Sequence, residues 1–259
     1  MIGIFDSGIG GLTVARAIEQ VLPNRSLLYF GDTARTPYGT KSAEVITEYS
    51  LRNCEFLLRN GAKLIVIGCN SASSVATERL RAEFDVPILE VISPAVNKAV
   101  EVTKSGRIGV IGTRATVQSG IYEEMLKASH PGCEVFSVPC PLLVPLVEEG
   151  WTTKRETKMI IRRYLYPLKN KQIDTLILGC THYPLLKELI GKRAGKKINI
   201  IDSSIEIAHS LRDQLLPIVD DNVTLSDSAT HRFFLSDVTA SARRTASLIF
   251  RQPVELLKP

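Results

Sequence analysis

The chain has 259 residues, of which 44% are hydrophobic and 23% are charged, and its formal net charge is +5. This length allows one large α/β domain or two smaller ones, and the composition is that of a folded globular protein rather than a disordered chain. No apolar run reaches transmembrane length and no signal-like segment begins the sequence, so we expect a cytoplasmic protein without a membrane partner.

Strands and helices alternate along the chain. A short apolar strand at 2–5 is followed by the glycine-rich turn Asp6-Ser7-Gly8-Ile9-Gly10-Gly11 and by a helix that begins near Leu12. Further strands are predicted at 27–30, 64–67, 87–92, 108–113, 135–138, 176–178, 198–201 and 232–235. Further helices are predicted at 42–60, 73–84, 153–165, 185–190, 203–216 and 240–250, with an irregular proline-rich loop at 139–150. This alternation predicts parallel sheets flanked by helices.

Two apolar strands end in Gly-Cys, at Cys69 and at Cys180, which are 111 residues apart. The strand at 108–113 repeats the pattern of 2–7 at a similar offset of 106 residues, and the two repeats together indicate an internal duplication. The fold class that we predict is α/β, with two pseudo-symmetric domains, each with a mostly parallel sheet, and an active site in the cleft between them. Crossovers usually return to the sheet that they left, which gives a first domain of 1–92 plus 207–259 and a second of 93–206.

The glycine-rich turn raises the possibility of a nucleotide site. Gly8-Ile9-Gly10 follows a strand and Asp32 ends the next strand, as in dinucleotide-binding units. The third glycine of that motif is replaced by Thr13, however, so we favour a tight turn that needs positive φ angles. Asp6 remains a functional candidate, because the carboxyl ends of strands line the crevice of open α/β sheets.

Five cysteines without CxxC spacing predict free thiols rather than disulfides, and the histidines show no metal-ligand spacing. Arg162-Arg163, Lys196-Lys197 and Arg243-Arg244 are scattered basic pairs without aromatic interleaving. We interpret them as solvated surface and expect no nucleic-acid partner.

A cysteine in an apolar strand is usually a small buried hydrophobe, which is how we interpret Cys54, Cys133 and Cys140. Cys69 and Cys180 differ because each lies just beyond its strand and precedes residues suited to a helix N-terminus, which lowers a thiol pKa. Two thiols facing each other across a cleft suit inversion at a carbon, where one removes a proton and the other returns it. Groups that could move the thiol protons are Asp6 in the first half and His182 or Glu148 in the second.

Five motifs together carry a resemblance to a known family. They are Asp6-Ser7-Gly8-Ile9-Gly10-Gly11-Leu12, Pro37-Tyr38-Gly39, Cys69-Asn70-Ser71-Ala72, Leu146-Val147-Glu148 with Gly150, and Gly179-Cys180-Thr181-His182-Tyr183-Pro184. In this order they closely resemble the bacterial glutamate racemases of the aspartate/glutamate racemase superfamily, from the N-terminus to about Ser204.

The resemblance implies a two-base racemase that needs no cofactor and no metal and interconverts L- and D-glutamate, the D-isomer being used for peptidoglycan. It implies that Cys69 acts on the D-isomer and Cys180 on the L-isomer, with Asp6, His182 and Glu148 as auxiliary catalytic residues. The substrate-binding positions that it implies are Asp6, Ser7, Tyr38, Gly39, Asn70, Ser71, Thr181 and His182, with Thr113 and Thr116 as further contacts. Small-molecule binding is the partner interaction expected, and a homodimer is possible.

The chain departs from the family pattern at one position. The family usually has threonine where this chain has Ser71, which keeps the hydroxyl but removes a methyl group. A substrate with two carboxylates can be held by backbone N–H groups and neutral side chains, so no arginine clamp is required.

Several alternative functions stay open. A racemase for aspartate or another amino acid is the nearest rival, and a non-catalytic two-domain binding protein is the rival from another class. In the catalytic case we expect the domains to close over the substrate.

Overall fold

The computed structural model of the protein describes residues 1–215 and 229–259. Nine strands form two sheets in this part of the chain, and every strand pair is parallel. The strands are β1 (Ile2–Asp6), β2 (Leu27–Gly31), β3 (Leu64–Ile67), β4 (Ile88–Glu90), β5 (Arg107–Gly112), β6 (Glu134–Pro139), β7 (Thr175–Gly179), β8 (Asn199–Asp202) and β9 (His231–Leu235). The predicted α/β class is confirmed.

The helices lie between the strands and cover both sheets. They are α1 (Leu12–Val21), α2 (Ala43–Arg59), α3 (Asn70–Glu83), α4 (Ile92–Val102), α5 (Arg114–Gln118), α6 (Ile121–Ser129), α7 (Leu143–Glu148), α8 (Arg155–Asn170), α9 (Lys187–Ala194), α10 (Ser203–Leu215) and α11 (Ala240–Phe250). Short 3₁₀ turns lie at Thr33–Arg35, Tyr38–Thr40 and Tyr183–Leu186. The predicted end of α10 at Leu216 lies outside the described residues.

The order of the strands supports the internal duplication. The first sheet has the order β4-β3-β1-β2-β9, and the second, read from its far edge, has the order β8-β7-β5-β6. Strand β5 therefore corresponds to β1, and β7, which leads to Cys180, corresponds to β3, which leads to Cys69. Only β9 has no counterpart among the described strands. It pairs with β2, so this strand of the tail lies in the first sheet, while the division into domains at 92 and 207 stays a prediction.

Apolar strands fill the two cores as their sequences predict. All five residues of β1 and of β7 are buried, as expected for strands covered by helices on both faces. Side chains cap two of the helices: the Ser42 hydroxyl accepts a hydrogen bond from the Val45 amide, and the Asp202 carboxylate accepts one from the Ser204 amide at the start of α10. Local polar chemistry thus fixes where these helices begin.

Several predicted elements are wrong in extent, among them the loop at 139–150, the strand at 87–92 and the helix at 73–84. The proline-rich loop at 139–150 contains helix α7, because Pro145 lies in its first turn, where backbone N–H groups have no partner within the helix. The strand predicted at 87–92 ends at Glu90, whose carboxylate accepts a hydrogen bond from the Ser93 amide in the first turn of α4. Helix α3 begins at Asn70 rather than at 73, directly after Cys69.

No helix among the described residues is both long enough and apolar enough to cross a bilayer.

Candidate active site

The two sheets direct the carboxyl ends of equivalent strands toward one cavity. Such strand ends are where open α/β sheets bind ligands. The walls of the cavity are formed by Ser7, Thr36, Pro37, Tyr38, Gly39, Cys69, Asn70, Ser71, Thr113, Val144, Cys180, Thr181 and His182. Both candidate thiols therefore face the same space. Asp6, Thr116 and Glu148 lie directly behind this wall, each hydrogen-bonded to a residue that lines it.

Cys69 forms the N-cap of α3 and is almost fully buried. Its Sγ lies 3.5 Å from Oγ of Ser7. Burial raises the pKa of the Cys69 thiol to about 12, and the nearby Asp6 carboxylate acts in the same direction, whereas hydrogen bonds from Ser7 and from the Ala72 amide oppose it. The expectation that the helix N-terminus lowers the pKa of Cys69 is therefore wrong, because the loss of water outweighs the helix. The thiol is poised as a proton donor.

Asp6 connects the two halves of the cavity. It ends β1 and is fully buried. Its carboxylate accepts hydrogen bonds from the Gly8 amide at 2.9 Å and from the Thr181 hydroxyl at 3.3 Å. Burial raises the pKa of Asp6, although the charge of His182 and these hydrogen bonds oppose the shift. A buried carboxyl group with a raised pKa near Cys69 is suited to taking part in proton exchange.

Cys180 lies beside a histidine, and this histidine contacts a carboxylate. Nδ1 of His182 lies 3.9 Å from Sγ of Cys180, and Nε2 lies 3.1 Å from Oε1 of Glu148. Burial opposes protonation of the imidazole, but the hydrogen bonds to Cys180 and Glu148 outweigh it and raise the pKa of His182 to about 10. The imidazolium form of His182 places a positive charge beside Sγ of Cys180. The two thiols thus have different environments, Cys69 near a carboxyl group and Cys180 beside an imidazole.

The glycine-rich turn is needed for close approach rather than for positive φ angles, so that prediction is wrong. Glycines with positive φ lie elsewhere in the described chain, and Gly8, Gly10 and Gly11 are not among them. A Cβ atom on Gly10 would lie 2.5 Å from Oγ1 of Thr181.

Thr13 explains why the third glycine is absent. Its hydroxyl reaches the Gly10 carbonyl at 2.9 Å and the Thr181 carbonyl at 3.1 Å, so it ties the turn to the loop that carries Cys180. The space beyond the turn is filled by Thr181 and His182, which leaves the turn in contact with protein rather than with a phosphate group.

Hydroxyl and amide side chains form another part of the cavity wall. Oγ of Ser71 lies 2.8 Å from Oγ1 of Thr113 and 3.4 Å from Oγ1 of Thr116. Nδ2 of Asn70 donates to the Tyr122 hydroxyl at 2.9 Å, while Oδ1 of Asn70 is buried without a protein partner. This oxygen is available to accept a hydrogen bond from a ligand.

Hydrogen bonds hold the Tyr38 side chain in place, and they also show what Asp32 does. The Tyr38 hydroxyl donates to Oδ2 of Asp32 at 2.6 Å and accepts from Nδ2 of Asn53 at 3.0 Å. Asp32 is fully buried and also accepts from the Ser236 hydroxyl at 3.1 Å. Asp32 therefore fixes the loop of Tyr38 and is not placed to hold a ribose.

Thr36 is a cavity residue that the sequence analysis missed. Its hydroxyl is buried without a protein partner, and its side chain lines the cavity next to Pro37. Its position directly before the Pro37-Tyr38-Gly39 motif is the sequence feature that could have predicted it.

Among residues 1–215 and 229–259, no group of three or more histidine, cysteine, aspartate or glutamate side chains is arranged to hold a metal ion.

Two duplicated α/β units that enclose a pair of thiols, each beside its own acid/base group, define a class of enzyme that moves protons on and off a small substrate from two sides. The chain belongs to the Asp/Glu/Hydantoin racemase family, whose model matches residues 3–211. The resemblance that the motifs indicate is thereby confirmed.

Individual relatives agree with this assignment. The chain is 45% identical to the glutamate racemase of Geobacter metallireducens over 95% of this chain and 91% of that protein. The structure of glutamate racemase isoform RacE1 from Bacillus anthracis has a TM-score of 0.93 at 37% identity and covers 100% of this chain and 97% of that one. The glutamate racemase from Francisella tularensis, solved with D-glutamate, has a TM-score of 0.91 at 33% identity, with 100% and 95% covered.

Proposed function

We propose that this protein interconverts L- and D-glutamate with Cys69 and Cys180 as its two acid/base residues and without a cofactor. The observation that carries the proposal is that both thiols line a single cavity, each with its own proton-exchanging neighbour. D-glutamate formed in this way would supply peptidoglycan synthesis in the cytoplasm, as the resemblance to the family implies.

The protonation states that we propose for the two thiols suit the reaction from L-glutamate to D-glutamate. A Cys180 thiolate, stabilised by protonated His182, would remove the Cα proton of L-glutamate. The neutral thiol of Cys69 would then donate its proton to the opposite face of the carbanion and form D-glutamate. One C–H bond breaks and one forms, and the enzyme is left with a Cys180 thiol and a Cys69 thiolate. Asp6 and the pair of His182 and Glu148 would help to restore the starting protonation state.

Substrate binding would use neutral donors. We propose that Asn70, Ser71 and the N-terminal amides of the long helix α3 hold one carboxylate, because a helix N-terminus favours an anion. Thr113, Thr116 and Thr181 provide further hydroxyl groups, and the free Oδ1 of Asn70 would accept from the substrate ammonium. Closure of the two halves would exclude water and strengthen these contacts. Ser7, Tyr38 and Gly39 complete the proposed site.

Incubation in D₂O tests the proposed activity. With L-glutamate we expect deuterium to enter Cα while optical rotation falls to zero, and with L-aspartate we expect much slower exchange. Faster exchange with aspartate would make the protein a racemase for that amino acid instead. Absence of exchange with either substrate would favour a non-catalytic binding protein. The homodimer also stays a prediction, which sedimentation of the purified protein would test.

Glu148→Gln is expected to move the alkaline limit of activity to lower pH. The Glu148 carboxylate helps to raise the pKa of His182 to about 10 by accepting a hydrogen bond from its imidazolium form. A neutral amide stabilises that cation less, so the imidazole loses its proton at a lower pH. The pH profile of kcat for L-glutamate measures this shift. Glu149→Gln, an exposed neighbour, is the matched control and should leave the profile unchanged.

Gly10→Ala is expected to lower kcat by roughly 10²-fold while the protein stays folded, since displacements of about 1 Å at a catalytic group have effects of this order. The new methyl group would push Thr181 and His182 away from Asp6 and Cys180. Gly132→Ala is the control, because a Cβ atom there meets nothing within 4 Å. Steady-state kinetics and thermal unfolding of both variants check the expectation, which an unchanged kcat in Gly10→Ala would contradict.

A further inference from the structure

The segment 151–197 carries a large excess of positive charge. It contains 12 lysine and arginine residues and 3 acidic residues, a net charge of +9, whereas the whole chain has a net charge of +5. The remaining residues therefore sum to −4. Two of the three basic pairs in the sequence, Arg162-Arg163 and Lys196-Lys197, lie in this segment.

Helices α8 and α9 bring these charges onto one surface. They pack side by side, and Leu165, Leu168 and Ala194 border the same space beneath them. Their inner residues are buried against the second sheet, so the polar residues face outward. The exposed cations of the segment are Lys154, Arg155, Lys158, Arg162, Arg163, Lys169, Lys171, Lys192, Arg193, Lys196 and Lys197. We call this surface the basic face.

Most cations of the basic face lack the ion pairs that are usual elsewhere in this protein. On α2 and α3, arginines pair with carboxylates one turn away, as in Arg52 with Glu48 and Arg79 with Glu83. On α8, Arg155, Arg162 and Arg163 form no ion pair with any residue in the described part of the chain, and on the other helix only Lys192 pairs with a carboxylate of its own turn. Such a surface repels itself and is stabilised when an anionic partner covers it.

Exposed apolar side chains lie among these charges. Met159 and Tyr166 are 61% and 64% exposed, and together with Arg162 and Arg163 they border a shallow hollow on α8. Positions 159, 162, 163 and 166 lie on one side of a helix, since their spacing follows its turns. Trp151, just before α8, is 44% exposed. Basic residues beside exposed tryptophan, tyrosine and methionine are typical of surfaces that lie on anionic lipid headgroups.

The sequence expectation of no membrane partner rests on the lack of an apolar run of transmembrane length, which does not bear on a charged surface. We propose that the basic face binds the surface of an anionic lipid bilayer. Lysines and arginines would lie among the acidic headgroups, and Met159 and Tyr166 would enter the boundary with the acyl chains. A bilayer fits better than a nucleic acid, because Met159 offers neither stacking nor hydrogen bonds to bases, and because the face is formed by the outer sides of two adjacent helices.

Co-sedimentation with lipid vesicles tests the proposal on the full-length protein. We expect binding to vesicles of phosphatidylglycerol and phosphatidylcholine in equal parts, no binding to phosphatidylcholine alone, and weaker binding as salt increases. Combined Arg162→Gln and Arg163→Gln should weaken binding about 25-fold, since each cation near an anionic surface contributes roughly fivefold. Combined Arg243→Gln and Arg244→Gln removes an exposed pair on α11 and should leave binding unchanged.

A second double variant examines the apolar contribution. Met159→Ser combined with Tyr166→Ser should retain binding at low salt and lose it at higher salt, where electrostatic attraction is screened. Racemisation should be unchanged in all three double variants, which shows that they are folded. Absence of binding to the anionic vesicles, or equal losses in the 162/163 and 243/244 variants, would overturn the proposal. Binding of a single-stranded oligonucleotide without binding of vesicles would overturn it in favour of a nucleic-acid partner.

Discussion

Cys69→Ser and Cys180→Ser are each expected to lower racemisation by about 10²- to 10⁴-fold, the range typical of lost acid/base catalysis. A serine hydroxyl is far less acidic than a thiol, so neither variant can complete the transfer of a proton from one face of Cα to the other. Because the proposed mechanism uses both groups in every turnover, each single variant should be impaired in both directions. The measurement is the rate of change in optical rotation starting from L- and from D-glutamate.

Cys140→Ser provides the matched control for these variants. Cys140 is also fully buried in the second half of the molecule, but it lies outside the cavity wall and its Sγ lies 3.5 Å from the Val138 carbonyl, an acceptor that a hydroxyl can also use. Its activity should stay within a few-fold of the unmodified protein, and thermal unfolding should show that all three variants are folded. Near-normal turnover in either Cys69→Ser or Cys180→Ser would exclude the two-thiol mechanism.

The duplicated architecture and the location of the cavity could be predicted because they depend on local sequence. Strands such as Leu64–Ile67 and Thr175–Gly179 are continuous apolar runs, and each ends in Gly-Cys. In parallel sheets the carboxyl ends of neighbouring strands lie at the same edge, so the pattern also predicts which residues meet. This pattern predicts Asp6, Cys69 and Cys180 as site residues, whereas substrate-binding residues such as Tyr38 and Asn70 are implied only by the resemblance to the family.

The properties that could not be predicted depend on contacts between distant parts of the chain. The raised pKa of Cys69 follows from its burial and from the charge of Asp6, which is 63 residues away in the sequence, so the local helix N-terminus does not predict it. The role of Thr13 depends on Thr181, which lies 168 residues further along the chain. Sequence rules for a single turn therefore misjudged Gly10 and Thr13, because their packing partner belongs to the other half of the molecule.

His182→Asn and Asp6→Asn are expected to slow racemisation by roughly 10²-fold or more, with isotope effects that change in opposite directions. The enantiomers have equal free energies, so kcat/KM must fall by the same factor in both directions in any variant. The two variants nevertheless affect different steps, because His182 contacts Cys180 and Asp6 raises the pKa of Cys69. His182→Asn should increase the deuterium isotope effect with 2-deuterated L-glutamate and decrease it with 2-deuterated D-glutamate, whereas Asp6→Asn should do the reverse.

Asp32→Asn separates this specific effect from general damage to a buried carboxylate. Asp32 follows β2 much as Asp6 ends β1, and it is equally buried, but its hydrogen bonds go to Tyr38, Arg35 and Ser236 rather than to the thiols. We expect this variant to bind substrate more weakly through displacement of Tyr38 and to change the isotope effects for the two enantiomers equally. If His182→Asn and Asp6→Asn also changed them equally, neither residue would serve one thiol in particular, and the division of the cavity into two acid/base pairs would be wrong.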